Sequence, residues 1–298
     1  MPDRPRFVLF THRVSQITKS RVAARSPITA IAASATAVVL AALVAGCGGG
    51  QPSGALPSFK ASPAASSPTP RPVTMAELSH LPQATTYGHL KGAPTDPQPF
   101  ATGNSGLVVH PHEPWVVYAS PGGPPVAVLP STEMGSPTWV PVVQSQPGWD
   151  MVLLPSRPDR SAGWVATQNG ALETAHTPYL VRVNTAAHRL TLLKDGSSLG
   201  SWPVAVGAPG TPTPTGRTFV LASLVPAQPT YSWLILPTGA HSNSLETYGG
   251  GPGTVGLHTW PDASVFGHAV SHGCVRVPAA GLRMLSHVPL GSLVVITS

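Results

Sequence analysis

One short segment near the C-terminus combines residue types that could carry out acyl transfer. It reads Ser271-His272-Gly273-Cys274-Val275-Arg276, and a further histidine, His258, lies upstream. A thiol is mostly protonated near neutral pH, so a nucleophilic Cys274 needs a base, and His258 is the predicted general base. Because Gly273 has no side chain, a substrate can approach its backbone closely. The amides of Gly273 and Cys274 are therefore predicted to form an oxyanion hole.

The remaining polar residues of this segment receive supporting roles. His272 is predicted to shape the pocket and to donate a proton, and Arg276 to bind a substrate carboxylate in bidentate fashion. Ser271 and Thr259 are grouped with the substrate-binding residues, with the alternative that the Ser271 hydroxyl only caps its own loop. The side chains of His258, His268, His272 and Cys274 could also ligate zinc, but their spacing matches no HExxH or CxxC framework. We therefore predict no metal and no other cofactor.

The chain contains two cysteines, Cys47 and Cys274. A segment before Cys47 has the order of a secretory signal, with a basic stretch, an apolar alanine-rich run and then small residues. Leu43-Val44-Ala45-Gly46-Cys47 resembles a bacterial lipobox, so residues 1–46 are predicted to be a lipoprotein signal peptide and Cys47 its lipidation site. The alternative is an uncleaved transmembrane anchor. Lipidation would remove any disulfide partner and leave Cys274 as a lone thiol.

Charge outside this leader is nearly balanced. The whole chain has 17 Lys and Arg against 11 acids. Residues 1–46 hold six of the basic residues and one acid, which leaves eleven against ten. The positive net charge thus belongs to targeting, and no basic patch that would indicate a nucleic-acid partner remains. The rest of the chain is expected to be exported and held at the outer face of the cytoplasmic membrane or in the cell wall.

Composition predicts a mainly β protein, because only 9% of residues are charged while Gly (30) and Pro (36) are frequent. Residues 47–104 are rich in Pro, Gly, Ser and Ala and are predicted to be a tether. Residues 105–175 alternate short apolar runs with turns, which predicts a small β-barrel. This stretch resembles a bacterial SH3-like module in Tyr118-Ala119-Ser120-Pro121-Gly122-Gly123 and in Gly163-Trp164-Val165. The resemblance implies a platform for wall peptides or glycans.

Residues 178–298 resemble the L,D-transpeptidase (YkuD-like) catalytic domain. The resemblance rests on Val181-Arg182-Val183-Asn184, Pro214-Thr215-Gly216, Gly256-Leu257-His258 and the Ser271–Arg276 segment, with twelve residues between His258 and Ser271. It implies a β-sandwich with a short helix near Pro278–Val288. It also implies that a backbone carbonyl, here that of Thr259, orients the imidazole. Thr259 and Arg276 depart from residues common in many relatives at these positions.

The resemblance implies a peptidoglycan L,D-transpeptidase of cell-wall biogenesis. Its substrates would be a donor tetrapeptide stem and an acceptor amine, its product a 3→3 cross-link formed through a thioester on Cys274, and carbapenem-type β-lactams would be covalent inhibitors. Three alternatives were weighed: an L,D-carboxypeptidase, a wall-binding lipoprotein with a non-catalytic domain, and an exported cysteine peptidase. In the last class the cysteine precedes the histidine, whereas here His258 precedes Cys274.

Overall fold

The computed structural model describes residues 67–103, 105–168, 170, 172–228 and 230–298. The predicted signal peptide (1–46) and the predicted lipidation site Cys47 lie outside these described residues. Within the described ranges, no helix is both long enough and apolar enough to cross a bilayer. Residues 67–298 fall in the same structural unit.

The first β region, here called the N-terminal module, contains nine strands: β1 Leu107–Pro111, β2 Trp115–Tyr118, β3 Pro125–Leu129, β4 Thr132–Glu133, β5 Ser136–Pro137, β6 Val140–Gln146, β7 Trp149–Leu153, β8 Ala162–Ala166 and β9 Leu172–His176. Seven of them form an antiparallel sheet in the order β3-β2-β8-β7-β6-β1-β9, and β4 pairs with β5. Its strands match the short apolar runs of the sequence, because each run is long enough for one strand and is closed by turn residues. The likeness to an SH3-like module stays a prediction.

The second β region, here called the catalytic domain, contains twelve strands: β10 Tyr179–Asn184, β11 Arg189–Lys194, β12 Ser197–Pro203, β13 Val206–Gly207, β14 Gly216–Phe219, β15 Ile235–His241, β16 Thr247–Tyr248, β17 Gly251–Pro252, β18 Thr254–His258, β19 Ala269–Ser271, β20 Val275–Arg276 and β21 Leu293–Thr297. One sheet has the order β12-β11-β10-β21-β14 and another the order β15-β18-β20. The pairs β13-β19 and β16-β17 complete the domain.

The two larger sheets of the catalytic domain enclose an apolar core. Val181 and Leu192 come from the first sheet, Leu257 and Val275 from the second, and all four are buried. The helix α2 (Ala279–Leu285) adds Leu282 and Leu285 to the same cluster. This arrangement confirms the predicted mainly β sandwich with a short helix.

Strand β21 connects the two cores through the alternation of its side chains. Leu293 and Val295 belong to the cluster of the N-terminal module, whereas Val294 and Ile296 belong to the core of the catalytic domain. Phe219 of β14 also packs with the module core. Successive residues of a strand point to opposite faces, so a strand buried on both faces must be apolar where it is buried, as Leu293–Ile296 are.

Residues 67–103 differ from the simple tether predicted over 47–104. They contain helix α1 (Met75–His80), whose first turn is held by a capping box between Thr74 and Glu77. Further along, Asp96 is buried and receives the guanidinium of Arg217 from β14, with Nε to Oδ2 at 2.8 Å. This part of the chain is ordered because it caps its own helix and supplies the buried charge partner of Arg217. Overall composition does not reveal either feature. The other predicted domain boundaries stay predictions.

The Asp96–Arg217 pair should be required for stability. Asp96→Ala would leave a buried guanidinium without its counter-charge, and such a loss typically costs about 3–5 kcal/mol of unfolding free energy. Chemical denaturation followed by circular dichroism would measure it. The matched control is Glu246→Ala, which breaks the 3.1 Å pair with Arg157 at a carboxylate that is 81% exposed. We expect the control to lose far less. Equal losses in the two variants would contradict this role for Asp96.

Candidate active site

The loop that carries Cys274 is held by hydrogen bonds made within it. The Ser271 hydroxyl donates to the Cys274 carbonyl at 2.6 Å and accepts from the Gly273 amide at 3.1 Å. Gly273 adopts a φ of 116°, a region that residues with a Cβ rarely occupy, which explains the glycine. Ser271 is buried and its hydroxyl is engaged inside the loop. These bonds agree with the alternative that the Ser271 hydroxyl caps its own loop, and its substrate-binding role stays a prediction.

A second turn holds the same loop from outside. The Thr211 hydroxyl donates to the Ser271 carbonyl at 2.9 Å, and the Thr213 hydroxyl donates to the Gly273 carbonyl at 2.8 Å. Thr213 in turn accepts from the amide of Gly207 at 2.9 Å. Thr213 comes from the Pro212–Gly216 turn, which contains the Pro214-Thr215-Gly216 motif, but the sequence does not indicate that Thr211 and Thr213 position the loop. Spacing along the chain gives no sign that a hydroxyl will meet a carbonyl 60 residues away.

Parallel pairing of β18 with β20 brings Cys274 beside the strand that ends at His258. The register sets Leu257 opposite Val275, and the Gly256 amide donates to Cys274 Sγ at 3.4 Å. Burial raises the pKa of the Cys274 thiol above its ordinary value, with opposing contributions from the Gly256 amide and the positive charge of Arg276. At neutral pH the resting nucleophile is therefore a thiol.

His258 lies where a base is required and in a defined tautomer. Its side chain is buried, and Nδ1 lies 2.7 Å from the carbonyl oxygen of Thr259. A carbonyl can only accept, so Nδ1 carries the proton and Nε2 has a free lone pair. The Thr259 amide donates to the Ser232 hydroxyl at 3.0 Å, which fixes the peptide unit between His258 and Thr259. The predicted orienting role of Thr259 thus has the required geometry, whereas its placement among substrate-binding residues stays a prediction.

The charge state of His258 follows from its surroundings. Burial lowers its pKa to about 4, and the nearby Arg276 charge adds to this effect, while the Thr259 carbonyl opposes it. The imidazole is therefore neutral over the physiological range. His258 ends the strand whose Gly256 amide donates to Cys274 Sγ, so a neutral imidazole and a protonated thiol lie on neighbouring elements before a substrate arrives.

Aromatic side chains line the site, and the sequence analysis did not identify them. Tyr231 packs edge-on against His258 at 4.8 Å between ring centroids, and Trp260 lies 5.2 Å from Tyr231. Burial raises the pKa of Tyr231, with smaller contributions from Cys274 and Tyr248, so its hydroxyl stays protonated. The only sequence signal was the proximity of Trp260 to His258 along the chain.

Arg276 is buried in the site, whereas His272 is exposed at its edge. The Arg276 guanidinium stacks on the Trp260 ring at 3.8 Å, and its buried Nε has no hydrogen-bond partner among the described residues. An unpaired buried N–H is costly unless another acceptor meets it. His272 is exposed and packs against Tyr248 at 5.3 Å. Its location agrees with a pocket-edge residue, and a proton-donor role stays a prediction.

The predicted oxyanion hole is changed in one respect. The Gly273 amide is already committed to the Ser271 hydroxyl at 3.1 Å. An amide can donate to a developing oxyanion only if it is free to do so, which favours the Cys274 amide over that of Gly273. Among the described residues, no three His, Cys, Asp or Glu side chains are grouped in a way that could hold a metal ion.

Comparison with known proteins agrees with this geometry. A family model for the YkuD L,D-transpeptidase catalytic domain matches residues 178–296. The chain is also 30% identical over 151 residues to the putative L,D-transpeptidase YkuD of Bacillus subtilis (strain 168), covering 48% of this chain and 84% of that protein. The chain therefore belongs to the YkuD family of L,D-transpeptidases.

Solved structures give more distant likenesses. An L,D-transpeptidase from Mycobacterium smegmatis aligns over 67% of this chain and 100% of its own, with 18% identity and a TM-score of 0.37. L,D-transpeptidase 3 from Mycobacterium tuberculosis, in complex with a faropenem-derived adduct, aligns over 70% of this chain and 98% of its own, with 15% identity and a TM-score of 0.36.

The protonation states predict how the free thiol reacts. Because burial raises the pKa of Cys274 and His258 is neutral above about pH 4, alkylation by iodoacetamide should be slow near pH 6. It should rise steadily through and beyond the ordinary thiol range near pH ~8.5. Mass spectrometry of Cys274 across pH 5–10 measures this profile. His258→Ala should keep the alkaline rise, because no imidazolium supports the resting thiolate. A reactive plateau at pH 5–7 would show a preformed thiolate–imidazolium pair.

Proposed function

We propose that this L,D-transpeptidase forms 3→3 cross-links between peptidoglycan stem peptides through a thioester on Cys274. The observation that carries the proposal is the joint placement, inside a YkuD catalytic domain, of a half-buried thiol and an imidazole whose Nδ1 is occupied by the Thr259 carbonyl. Such an imidazole exposes one basic nitrogen and is neutral at physiological pH, as general-base catalysis requires.

The first half-reaction acylates the enzyme. Nε2 of His258 takes the thiol proton while Sγ of Cys274 attacks the carbonyl carbon of the third stem residue. The developing oxyanion accepts a hydrogen bond from the Cys274 amide. When the C–N bond breaks, imidazolium returns the proton to the departing amine, and the terminal D-alanine leaves. A thioester remains on Sγ, with His258 neutral again.

The second half-reaction transfers the acyl group. The side-chain amine of a second stem attacks the thioester carbonyl while His258 removes its proton. The C–S bond breaks, the sulfur leaves as thiolate, and the imidazolium proton returns to it. The product is an amide between two third-position residues, which is the 3→3 cross-link. Atoms and charges balance without a cofactor.

Arg276 serves this reaction through its charge and its unpaired Nε–H. Stacking on Trp260 fixes the guanidinium plane. The buried Nε has no acceptor among the described residues, so a stem carboxylate or carbonyl that enters the site can satisfy it. The positive charge also favours thiolate formation during the reaction, since Arg276 lowers the pKa of Cys274 against the effect of burial.

Two alternatives share the same fold. In an L,D-carboxypeptidase, water resolves the thioester in place of an amine, so the products would be tripeptide stems without cross-links. In a wall-binding lipoprotein with a non-catalytic domain, Cys274 would form no acyl adduct. The oriented imidazole beside the thiol favours catalysis. Incubating the enzyme with purified tetrapeptide stems and measuring product masses separates the three functions.

Location and inhibition complete the proposal. The signal-like residues 1–46 and the lipobox ending at Cys47 support export and lipid anchoring at the outer face of the cytoplasmic membrane. Carbapenem-type β-lactams are proposed as covalent inhibitors, because their strained carbonyl presents the same electrophile to Cys274 as a scissile amide does.

The two histidines near Cys274 should differ in catalysis. Loss of a general base typically slows a reaction by ~10²- to 10⁴-fold, so His258→Ala should slow single-turnover acylation by that factor. His272→Ala should have a smaller effect on that rate, because His272 is exposed at the edge of the site. Intact-mass measurement of the acyl-enzyme with a tetrapeptide stem provides the rates.

Cys274→Ala is the matched reference and should form no adduct while keeping its circular dichroism spectrum. Adduct formation by this variant would exclude the thioester mechanism. If His272→Ala abolishes acylation and His258→Ala leaves it unchanged, the base is His272.

Anchoring gives a separate prediction. Cys47→Ser should move the protein from the detergent phase to the aqueous phase in a phase-separation assay, because lipidation at Cys47 would be lost. Peptide mapping of the wild-type protein should show a mature chain that begins at Cys47. Retention of the variant in detergent, with peptides from residues 1–46 still present, would show an uncleaved membrane anchor.

A further inference from the structure

A proline-rich segment crosses the surface of the N-terminal module. It reads Ser67-Pro68-Thr69-Pro70-Arg71-Pro72-Val73-Thr74 and is here called the proline segment. It is neither helix nor strand, and it leads directly into helix α1. A residue that precedes proline is restricted to extended conformations, and proline itself fixes φ near −65°. Every residue from 67 to 72 is subject to one of these restrictions, which favours a polyproline II conformation.

The pattern of burial has the period of such a helix. Ser67, Pro70 and Val73 are half-buried, whereas the residues between them and Thr74 are exposed. A polyproline II helix has three residues per turn, so every third side chain points the same way. One edge of the segment therefore faces the module, and Val73 packs against the module core.

Two aromatic side chains of the module donate hydrogen bonds to the segment's backbone. Trp149 Nε1 donates to the Pro68 carbonyl at 2.8 Å, and the Tyr118 hydroxyl donates to the Arg71 carbonyl at 2.9 Å. The two acceptors are three residues apart, which is again one turn. Trp149 and Tyr118 themselves meet edge to face at 5.2 Å. A pair of aromatic donors at this spacing recognises the backbone conformation and not a particular side chain.

Two turn glycines bring the module close to the same segment. A Cβ at Gly122 would lie 2.9 Å from the Cβ of Pro68, and one at Gly148 would lie 2.7 Å from the Ser67 hydroxyl. Both glycines also have positive φ. The turns that carry them flank Tyr118 and Trp149 respectively. Together these four module residues form a groove, here called the aromatic groove, that fits a slim extended chain.

We propose that the aromatic groove is a binding site for proline-rich peptides and that the proline segment occupies it in cis. Aromatic-lined grooves bind such peptides well because a polyproline II chain is already ordered before binding. A proline has no N–H, so a proline-rich backbone offers mainly carbonyl groups. The Trp149 and Tyr118 side chains of the groove supply the matching hydrogen-bond donors. The site lies in the N-terminal module, is distinct from the Cys274 site, and does not depend on the proposed reaction.

The test uses the full chain and a fluorescein-labelled peptide with the sequence of residues 67–74. In a variant with Pro68→Gly, Pro70→Gly and Pro72→Gly, the in-cis occupant should detach more readily, and fluorescence anisotropy should show saturable binding of the peptide. The wild-type chain should bind it at least ~10-fold more weakly, because a tethered competitor acts at an effective concentration of order mM. A peptide with the same three glycines should not bind.

Groove variants provide the matched comparison. Adding Tyr118→Phe to the glycine variant removes only the hydroxyl that donates to Arg71, and should weaken peptide binding by about 3- to 10-fold. Tyr87→Phe, at an exposed tyrosine, should leave it unchanged. Acylation of Cys274 should proceed equally in all variants. The absence of saturable binding to a glycine variant that still acylates would overturn the proposal, as would equal effects of the two tyrosine variants.

A second measurement needs no disruption of the proline segment. In the otherwise wild-type chain, Tyr118→Phe should speed hydrogen exchange of the Trp149 indole N–H, because the segment that covers it opens more often. Tyr87→Phe should not change this rate. Unchanged exchange in Tyr118→Phe would contradict in-cis binding even if the glycine variant failed to fold.

Discussion

The burial of strand β21 on both faces is the constraint on which the rest of the structure depends. Its alternate residues enter the core of the N-terminal module and the core of the catalytic domain, so neither core is complete without it. Its neighbour β14 carries Arg217, whose charge is matched by Asp96 at the same boundary. The Pro212–Gly216 turn precedes β14 and holds the Cys274 loop through Thr213. Packing between the N-terminal module and the catalytic domain thereby fixes the position of the Cys274 loop.

Cys274 and His258 are both uncharged before a substrate binds. Burial raises the pKa of Cys274 and lowers that of His258, so both effects favour the neutral forms. The Thr259 carbonyl selects the imidazole tautomer, and Arg276 supplies the positive charge nearby. In the proposed reaction, charges separate only when a substrate has excluded water and the oxyanion develops, when preorganised dipoles would stabilise it most.

Much of this could be read from the sequence because the deciding signals are local. Composition and the alternation of short apolar runs with turns predicted a mainly β chain, and the Ser271–Arg276 motif with His258 pointed to the family. Contacts made across the chain could not be predicted. Strand β15, for example, begins only at Ile235, because the Ser232 hydroxyl donates to the Leu234 carbonyl and accepts from the Thr259 amide. That irregular turn places Tyr231 against His258. Local side-chain hydrogen bonds of this kind compete with strand formation and leave no periodic trace.

The neutral resting state also bears on how the Cys274 thiol resists oxidation. Oxidation proceeds through the thiolate, and susceptibility follows thiolate character and exposure. A site that stored a thiolate–imidazolium pair would be reactive towards any oxidant that reached it. In the proposed reaction, the thiol ionises only as His258 removes its proton towards a bound carbonyl, so its reactivity would depend on substrate. Because the Gly256 amide already contacts Sγ at 3.4 Å, little movement is needed to stabilise the thiolate once it forms. The same burial that slows the free thiol thus preserves it for acyl transfer.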